Sequence, residues 1–254
     1  MLKRANEVLR EVYARRPGQW GRVLEAGGGS HAHFVIPDGA SLIALDISHG
    51  QLLRNQATTL RVQADVGRIP LAAGSIDVVV CFNVIEHLDD PRPALDEMRR
   101  CLASGGVLVL GFPNRGSLKG LVTRATPVEV HRAWYRRVVG KRDRGEGHHD
   151  AFPTVFHPSV SVSRMRAWLA DNGFEASLFA LYDGVAAYGI IGGGWKRYVF
   201  GAGYYAATEL GRLASLGRWQ AAASDVLIVA VLAEPAQSSD SACDALATPA
   251  PAGR

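Results

Sequence analysis

The chain has 254 residues, a length that predicts one large domain or one domain carrying insertions. Its 48% hydrophobic and 20% charged residues exclude a disordered or collagenous chain, and a formal net charge of +4 is too mild to mark a nucleic-acid binder. Four of the 28 basic residues are Lys and the rest Arg, a bias that favours bidentate contacts to anions and that a GC-rich coding sequence would also produce. Cys81, Cys101 and Cys243 stand far apart with no CxxC pair. That argues against a disulfide framework or a zinc site and fits a reducing, cytoplasmic compartment. Charges interrupt residues 1–16, so no signal peptide is read there. The most apolar stretch, 185–208, is broken by Lys196 and Arg197, so no spanning helix is expected, only contact with a membrane surface.

Strands and helices alternate along the chain. Leu2, Ala5, Leu9, Val12 and Tyr13 recur at helical spacing and predict an opening amphipathic helix, stopped by Pro17 and Gly18. Residues 22–26 form a short buried strand that runs into Gly27, Gly28 and Gly29. A second strand is read at 41–46, and Ser48 with Gln51 predicts a capping box at the start of a helix. Residues 61–64 make a weak third strand and 76–82 a strong fourth. A helix over 93–102 ends at Gly105 and Gly106, followed by a fifth strand at 107–111. A helix at 162–171 and strands at 174–181 and 226–233 complete a seven-stranded plan. Strands joined through helices predict a doubly wound, mostly parallel α/β sheet covered on both faces. Residues 1–234 form the expected domain, with insertions at 116–157 and 183–224 making a helical cap on the acceptor side. The Ala-, Ser- and Pro-rich tail, 235–254, is expected to be disordered.

A glycine-rich turn after a buried first strand lets backbone approach a ligand at the carboxyl edge of a sheet. Asp46 closes the second strand, where a carboxylate can accept hydrogen bonds from both hydroxyls of a ribose. Together they favour nucleotide binding over an ordinary capped turn. Gly27, Gly29 and Ala32 formally satisfy the dinucleotide fingerprint of an NAD(P)-dependent oxidoreductase. That fingerprint needs a full helix to seat a pyrophosphate, and Pro37-Asp38-Gly39 leaves only about one and a half turns at 3.6 residues each.

These motifs, in this order, resemble the class I S-adenosylmethionine-dependent methyltransferases, of the methyltransferase type 11 kind. Residues 23–29 look like the family's first motif, residues 44–48 like its ribose-binding strand end, and residues 63–66 like its adenine-contacting motif. The stretch from Ile69 to Leu88 and the run from Arg99 to Leu110 resemble the segments that follow. The resemblance implies a Rossmann-like fold and S-adenosyl-L-methionine as cofactor. It implies that Glu25, Gly27, Gly29, Asp46, Ile47, Asp65 and Asn83 bind the cofactor, Glu25 through the methionine amino group and Asp65 through the adenine amine. His31 stands where the family often has a third Gly. A non-catalytic binding protein built on the same fold is the remaining alternative to the enzyme.

Methyl transfer from a sulfonium expels a neutral thioether, so the leaving group needs no acid; an oxygen nucleophile gains from a base. His87, after the fourth strand, and His149, in the loop Gly145-Glu-Gly-His-His-Asp150, are the candidate bases. A packed helix-start His87 and a solvated loop are the plainer readings of the two. The ubiquinone-biosynthetic O-methyltransferases, which this region resembles, place Glu, Glu and His around the fourth strand's end. Here Asn83 takes the first position beside Glu86 and His87, and losing a hard anionic ligand argues against a bound metal. The acceptor is expected to be a small molecule or a glycan- or lipid-linked intermediate, methylated on oxygen, with no nucleic acid involved. Between Lys119 and Arg144 stand eight Lys or Arg and two acids, interleaved with Trp134 and Tyr135 beside Arg132, Arg136 and Arg137. Such a segment is either a lid helix or a peripheral contact with an anionic membrane. In the second insertion, Val199, Ala206, Leu210 and Leu213 recur near helical spacing and predict a helical wall over the active-site edge.

Overall fold

The computed structural model describes residues 2–29, 34–58, 60–127, 129, 130, 133, 154–187 and 195–234. Seven strands form one sheet: β1 (Arg22–Ala26), β2 (Ser41–Asp46), β3 (Leu60–Gln63), β4 (Ile76–Phe82), β5 (Leu102–Pro113), β6 (Phe174–Tyr182) and β7 (Asp225–Leu232). Their spatial order is β3-β2-β1-β4-β5-β7-β6. The first five pair in parallel, and β7 inserts antiparallel between β5 and β6. The chain reverses its march at β1, because β1 touches both β2 and β4. In open α/β sheets, ligands bind beyond the strands' carboxyl ends at such a reversal.

Both sheet faces are covered, and the strand period of two assigns each residue to a face. Leu24, Ile43, Leu45, Val79, Cys81, Leu108, Leu110 and Ile228 point to one side. There they meet Leu95 and Met98 of helix α3 (Arg92–Cys101) and Met165 and Leu169 of helix α5 (Val162–Asp171). Their neighbours Val23, Leu42, Val78, Val80, Val107, Val109 and Val229 face the other side, against Ala5, Leu9 and Val12 of helix α1 (Leu2–Ala14). A fully buried Leu contributes about 1.5–3 kcal/mol, so truncating Leu24 or Leu108 to Ala costs about 2–5 kcal/mol once the cavity is included.

The remaining helices are α2 (His49–Arg54), α4 (Leu118–Ala125), the short α6 (Gly184–Ala187) and α7 (Trp195–Ala214). Three local readings are corrected. Ser48 is the N-cap of α2, yet its side chain makes no capping bond. Gln51 is buried, and the Ser48 N–H that a capping box would give to it goes to the neighbouring Asp46 carboxylate. Strand β5 begins at Leu102 rather than 107, but its register jumps: Leu102 lies opposite Ile76 and Val107 opposite Val78. Residues 103–106 take up the excess, with Gly105 at φ 75°. On α7, Val199, Leu210 and Leu213 are exposed, so this apolar series does not pack against the domain as a wall would. The tail 235–254 lies outside the described residues.

Candidate functional site

The glycine turn is built by the close approach of two strand ends. Gly27 has φ 77°, and a Cβ there would lie 2.2 Å from a methyl carbon of Val84 beyond β4. The Gly27 and Gly28 N–H groups both donate to the Leu45 carbonyl, at 2.7 and 3.0 Å, which ties the turn to β2. Gly29, at φ 43°, donates its N–H to Asp46 Oδ2 at 2.9 Å. Ser48 N–H donates to Asp46 Oδ1 at 2.8 Å, so both carboxylate oxygens are fixed and each keeps a second lone pair. From behind, the fully buried Asn55 donates its amide to the Gly28 and Gly29 carbonyls at 3.2 and 3.4 Å. Asn55 was not singled out from sequence; its only signal was a polar residue just past α2.

Other expected positions line the same edge. Glu25 is buried at the end of β1, and Ile47, next to Asp46, is 61% exposed, an apolar surface suited to a sugar or a ring. Asp65, two residues past β3, accepts the Gly67 N–H at 2.7 Å and is open to solvent. Asn83 is exposed at φ 56°, its N–H bonded to the Gly111 carbonyl at 2.8 Å. Adjacent parallel strands thus bring Glu25, Gly27, Gly29, Asp46, Ile47, Asp65 and Asn83 to one carboxyl edge. This cradle fits an adenosine without a phosphate: it has a glycine turn, an oriented carboxylate and an apolar neighbour. Residues 34–40, after the turn, contain no helix, so they supply no N-terminus for a pyrophosphate.

His87 ends a one-turn 3₁₀ helix, Ile85–His87, just past β4. Its Nε2 lies 3.7 Å from Glu86 Oε1, with a quarter of its side chain exposed. His149 lies outside the described residues, as do Arg132 and Trp134 to Arg137. Among the described residues, no group of three or more His, Cys, Asp or Glu side chains is placed to hold a metal ion.

A second polar cluster stands beside this cradle and was missed from sequence. Asp225 opens β7 opposite Pro113, the last residue of β5, so the antiparallel strand carries a carboxylate to the same edge. Lys119 Nζ, from the first turn of α4, lies 3.3 Å from both Asp225 oxygens, and Ser224 Oγ donates to Oδ2. Glu86 faces this pair. Burial pushes its carboxyl up to about 8, its own backbone hydrogen bond and Lys119 oppose the rise, and Asp225 adds to it. The Tyr204 hydroxyl of α7 is raised as well, by burial first and then by Asp183, Tyr205 and Asp225. At neutral pH both are therefore uncharged O–H groups. Glu86 Oε2 and Tyr204 OH are buried with no hydrogen-bond partner among the described residues. The chain returning from the first insertion docks here too, Val155 and Phe156 donating their N–H groups to the Glu86 carbonyl at 2.9 and 3.1 Å. The sequence signal for Asp225 was a lone acid heading an otherwise apolar strand.

Sheet order and cradle together define a Rossmann-like methyltransferase fold. Residues 24–110 match the family described as a methyltransferase domain. The chain is 38% identical over 118 residues to a probable S-adenosylmethionine-dependent methyltransferase of Mycolicibacterium smegmatis, covering 44% of this chain and 45% of that protein. It is 35% identical over 109 residues to the malonyl-[acyl-carrier protein] O-methyltransferase of Enterobacter lignolyticus, covering 41% and 42%. The chain thus spans less than half the length of these curated relatives. A S-adenosylmethionine-dependent methyltransferase from Archaeoglobus fulgidus shares the fold with a TM-score of 0.53 and 17% identity over 91% of this chain and 94% of that one. Residues 24–110 thus carry a methyltransferase domain.

Proposed function

We propose that this chain transfers the methyl group of S-adenosylmethionine to an oxygen of a small-molecule, glycan-linked or lipid-linked acceptor in the cytoplasm. The observation that carries the acceptor's polarity is the pair of buried O–H groups, Glu86 and Tyr204, beside the Lys119–Asp225 ion pair. A buried polar group left unpaired costs about 1–3 kcal/mol, so two at one edge mark a place where a ligand completes the bonding. An acceptor carrying oxygen acceptor atoms suits two neutral donors and a lysine.

Bound cofactor supplies an electrophilic methyl that leaves behind a neutral thioether. Asp46 would orient the adenosine through its two anchored oxygens, and Asn55 holds the glycine turn beside it. His87, partly open and just past β4, is the candidate that receives the hydroxyl proton. The oxygen reading is further supported by the name of the Enterobacter relative, and the cytoplasmic reading by free Cys81 and Cys101 in the core.

Calorimetry with S-adenosylhomocysteine and with NADH tests the cofactor: binding of the first and not the second is expected. Mass spectrometry of products from hydroxyl, carboxyl, amine and thiol acceptors tests the atom. A catalogue of acceptors methylated only on nitrogen or sulfur would refute the oxygen reading.

A further inference from the structure

Helix α7 runs for 20 residues, about 30 Å at 1.5 Å per residue, and it is oriented inside out. Facing the domain are Gly201, Tyr204, Thr208 and Gly211, spaced three and four apart; Gly201 and Thr208 are buried, and Gly211 sits so close to Trp219 that a Cβ would fall 2.3 Å from its ring. Opposite them runs the helix's apolar series: Trp195, Val199, Ala202, Ala206, Leu210 and Leu213. Trp195 is 68% exposed, Val199 57%, Leu210 68% and Leu213 59%. Tyr198 near one end of the segment and Leu216 just past the other are exposed as well. Isolated exposed apolar residues are ordinary, but a continuous stripe over five turns marks an interaction surface.

The composition of this face selects its occupant. From Tyr198 to Thr208 the helix carries no charged residue on any side, so the apolar arc is broad. A helix pairing with another copy shows a narrow seam flanked by charges of both signs. The charges of this segment gather at its ends instead: Lys196 and Arg197 before, Arg212 and Arg218 after, with Glu209 paired to Arg212 at 2.8 Å. Two copies would bring these like-charged ends together, whereas an anionic surface would attract them. Trp195 and Tyr198 at one end are amphipathic rings suited to the headgroup level of a bilayer. Helix α4 adds exposed Leu121 and Val122 with Arg124, and it is tied to the chain that follows α7 by the bond from Leu118 N–H to the Ala221 carbonyl, 2.9 Å. No helix among the described residues is long and apolar enough to cross a membrane.

We propose that the outward face of α7, with the exposed end of α4, lies in the plane of an anionic lipid surface. Tyr204 and Lys119 hang from the inner sides of these two helices, so such docking would set the acceptor cluster close to the lipid. That last link rests on the reading of the acceptor side given above; the docking itself does not.

The test is co-sedimentation of the full chain with vesicles of phosphatidylcholine alone and of phosphatidylcholine with phosphatidylglycerol, at low and high salt. The expected result is binding to the mixed vesicles, at least tenfold stronger than to neutral ones and lost as salt screens exposed charges. Each basic residue near an anionic leaflet strengthens binding about fivefold, so Arg212→Glu with Arg218→Glu weakens it by at least tenfold. Leu210→Glu with Leu213→Glu, which removes the apolar contact, has the same effect. Should that double variant fail to fold, Val199→Asp tests the same stripe three turns away. S-adenosylhomocysteine calorimetry on each preparation reads the cofactor assignment separately. Absence of binding at low salt, or binding indifferent to both the charge and the leucine variants, overturns the proposal. So does a dimer seen by light scattering that Leu210→Glu and Leu213→Glu dissociate, since a second copy would then cover the face.

Discussion

Glu86→Gln separates a buried neutral carboxyl from an ordinary surface one. Glu86 is 2% exposed, and burial lifts its carboxyl from the usual 4.5 to about 8. Between those values the folded chain holds a proton that the unfolded chain has released. The unfolded state binds fewer protons there, so stability falls as pH rises through the window and levels off above it. At about 1.4 kcal/mol per pH unit, the loss between about pH 5 and pH 8 is roughly 4 kcal/mol. Gln has the same size, stays neutral and has no proton to lose. The stability of the variant minus that of the wild type should therefore climb by roughly 4 kcal/mol across this window, towards a more stable variant. Urea unfolding of both proteins at a series of pH values measures it, and the subtraction cancels the other titrating groups. A difference that stays flat would show that Glu86 ionises in the usual carboxylate range. The proposal that Glu86 is a neutral donor to the acceptor would fall with it.

Asp46→Ala removes an oriented carboxylate, and charge-assisted hydrogen bonds are worth about 1.5–3 kcal/mol, so S-adenosylhomocysteine affinity by calorimetry should drop at least tenfold; unchanged affinity in a folded variant would sink the ribose assignment. Asn55→Leu leaves the Gly28 and Gly29 carbonyls without their donor, and both chemical stability and S-adenosylhomocysteine affinity should fall, stability by about 1–3 kcal/mol. Tyr204→Phe deletes a buried hydroxyl that has no partner among the described residues, so thermal unfolding should be unchanged or slightly later while kcat/KM for an acceptor drops and cofactor affinity holds. Activity should survive EDTA because Asn83 stands where a third hard ligand would be needed; complete loss restored by magnesium would show that Asn83, Glu86 and His87 had been misjudged.

The shared placement of the expected cofactor-side residues was legible because they sit on consecutive strand–turn units. Gly27, Gly29, Asp46, Asp65 and Asn83 each lie within a few residues of a strand's carboxyl end, and a parallel sheet places all such ends on one edge whatever the intervening helices do. Position relative to a strand end was therefore enough. The Lys119–Asp225 cluster obeys no such rule. Lys119 and Asp225 are 106 residues apart, and they meet only because β7 runs antiparallel beside β5 and so starts where β5 finishes. Nothing in the strand pattern of 225–232 states its direction. Asn55 escaped for a related reason: its partners are two backbone carbonyls 26 and 27 residues upstream, and carbonyls leave no mark on a sequence.

Helix α7 shows how periodicity can mislead about direction. Apolar residues at helical spacing state that a helix has one apolar side, not that this side faces the helix's own domain. Here the inner positions are filled by Gly201, Thr208 and Gly211, whose small side chains let the helix lie close against its neighbours, as the contact between Gly211 and Trp219 shows. A leucine at position 211 would be driven into that ring. Tyr204 is the large residue that the inner face accommodates, while Trp195, Val199, Leu210 and Leu213 are exposed on the outer side. The inner face also brings Tyr204 towards Asp225 and Asp183. On the proposals above, lipid contact and acceptor contact would belong to opposite sides of this one helix.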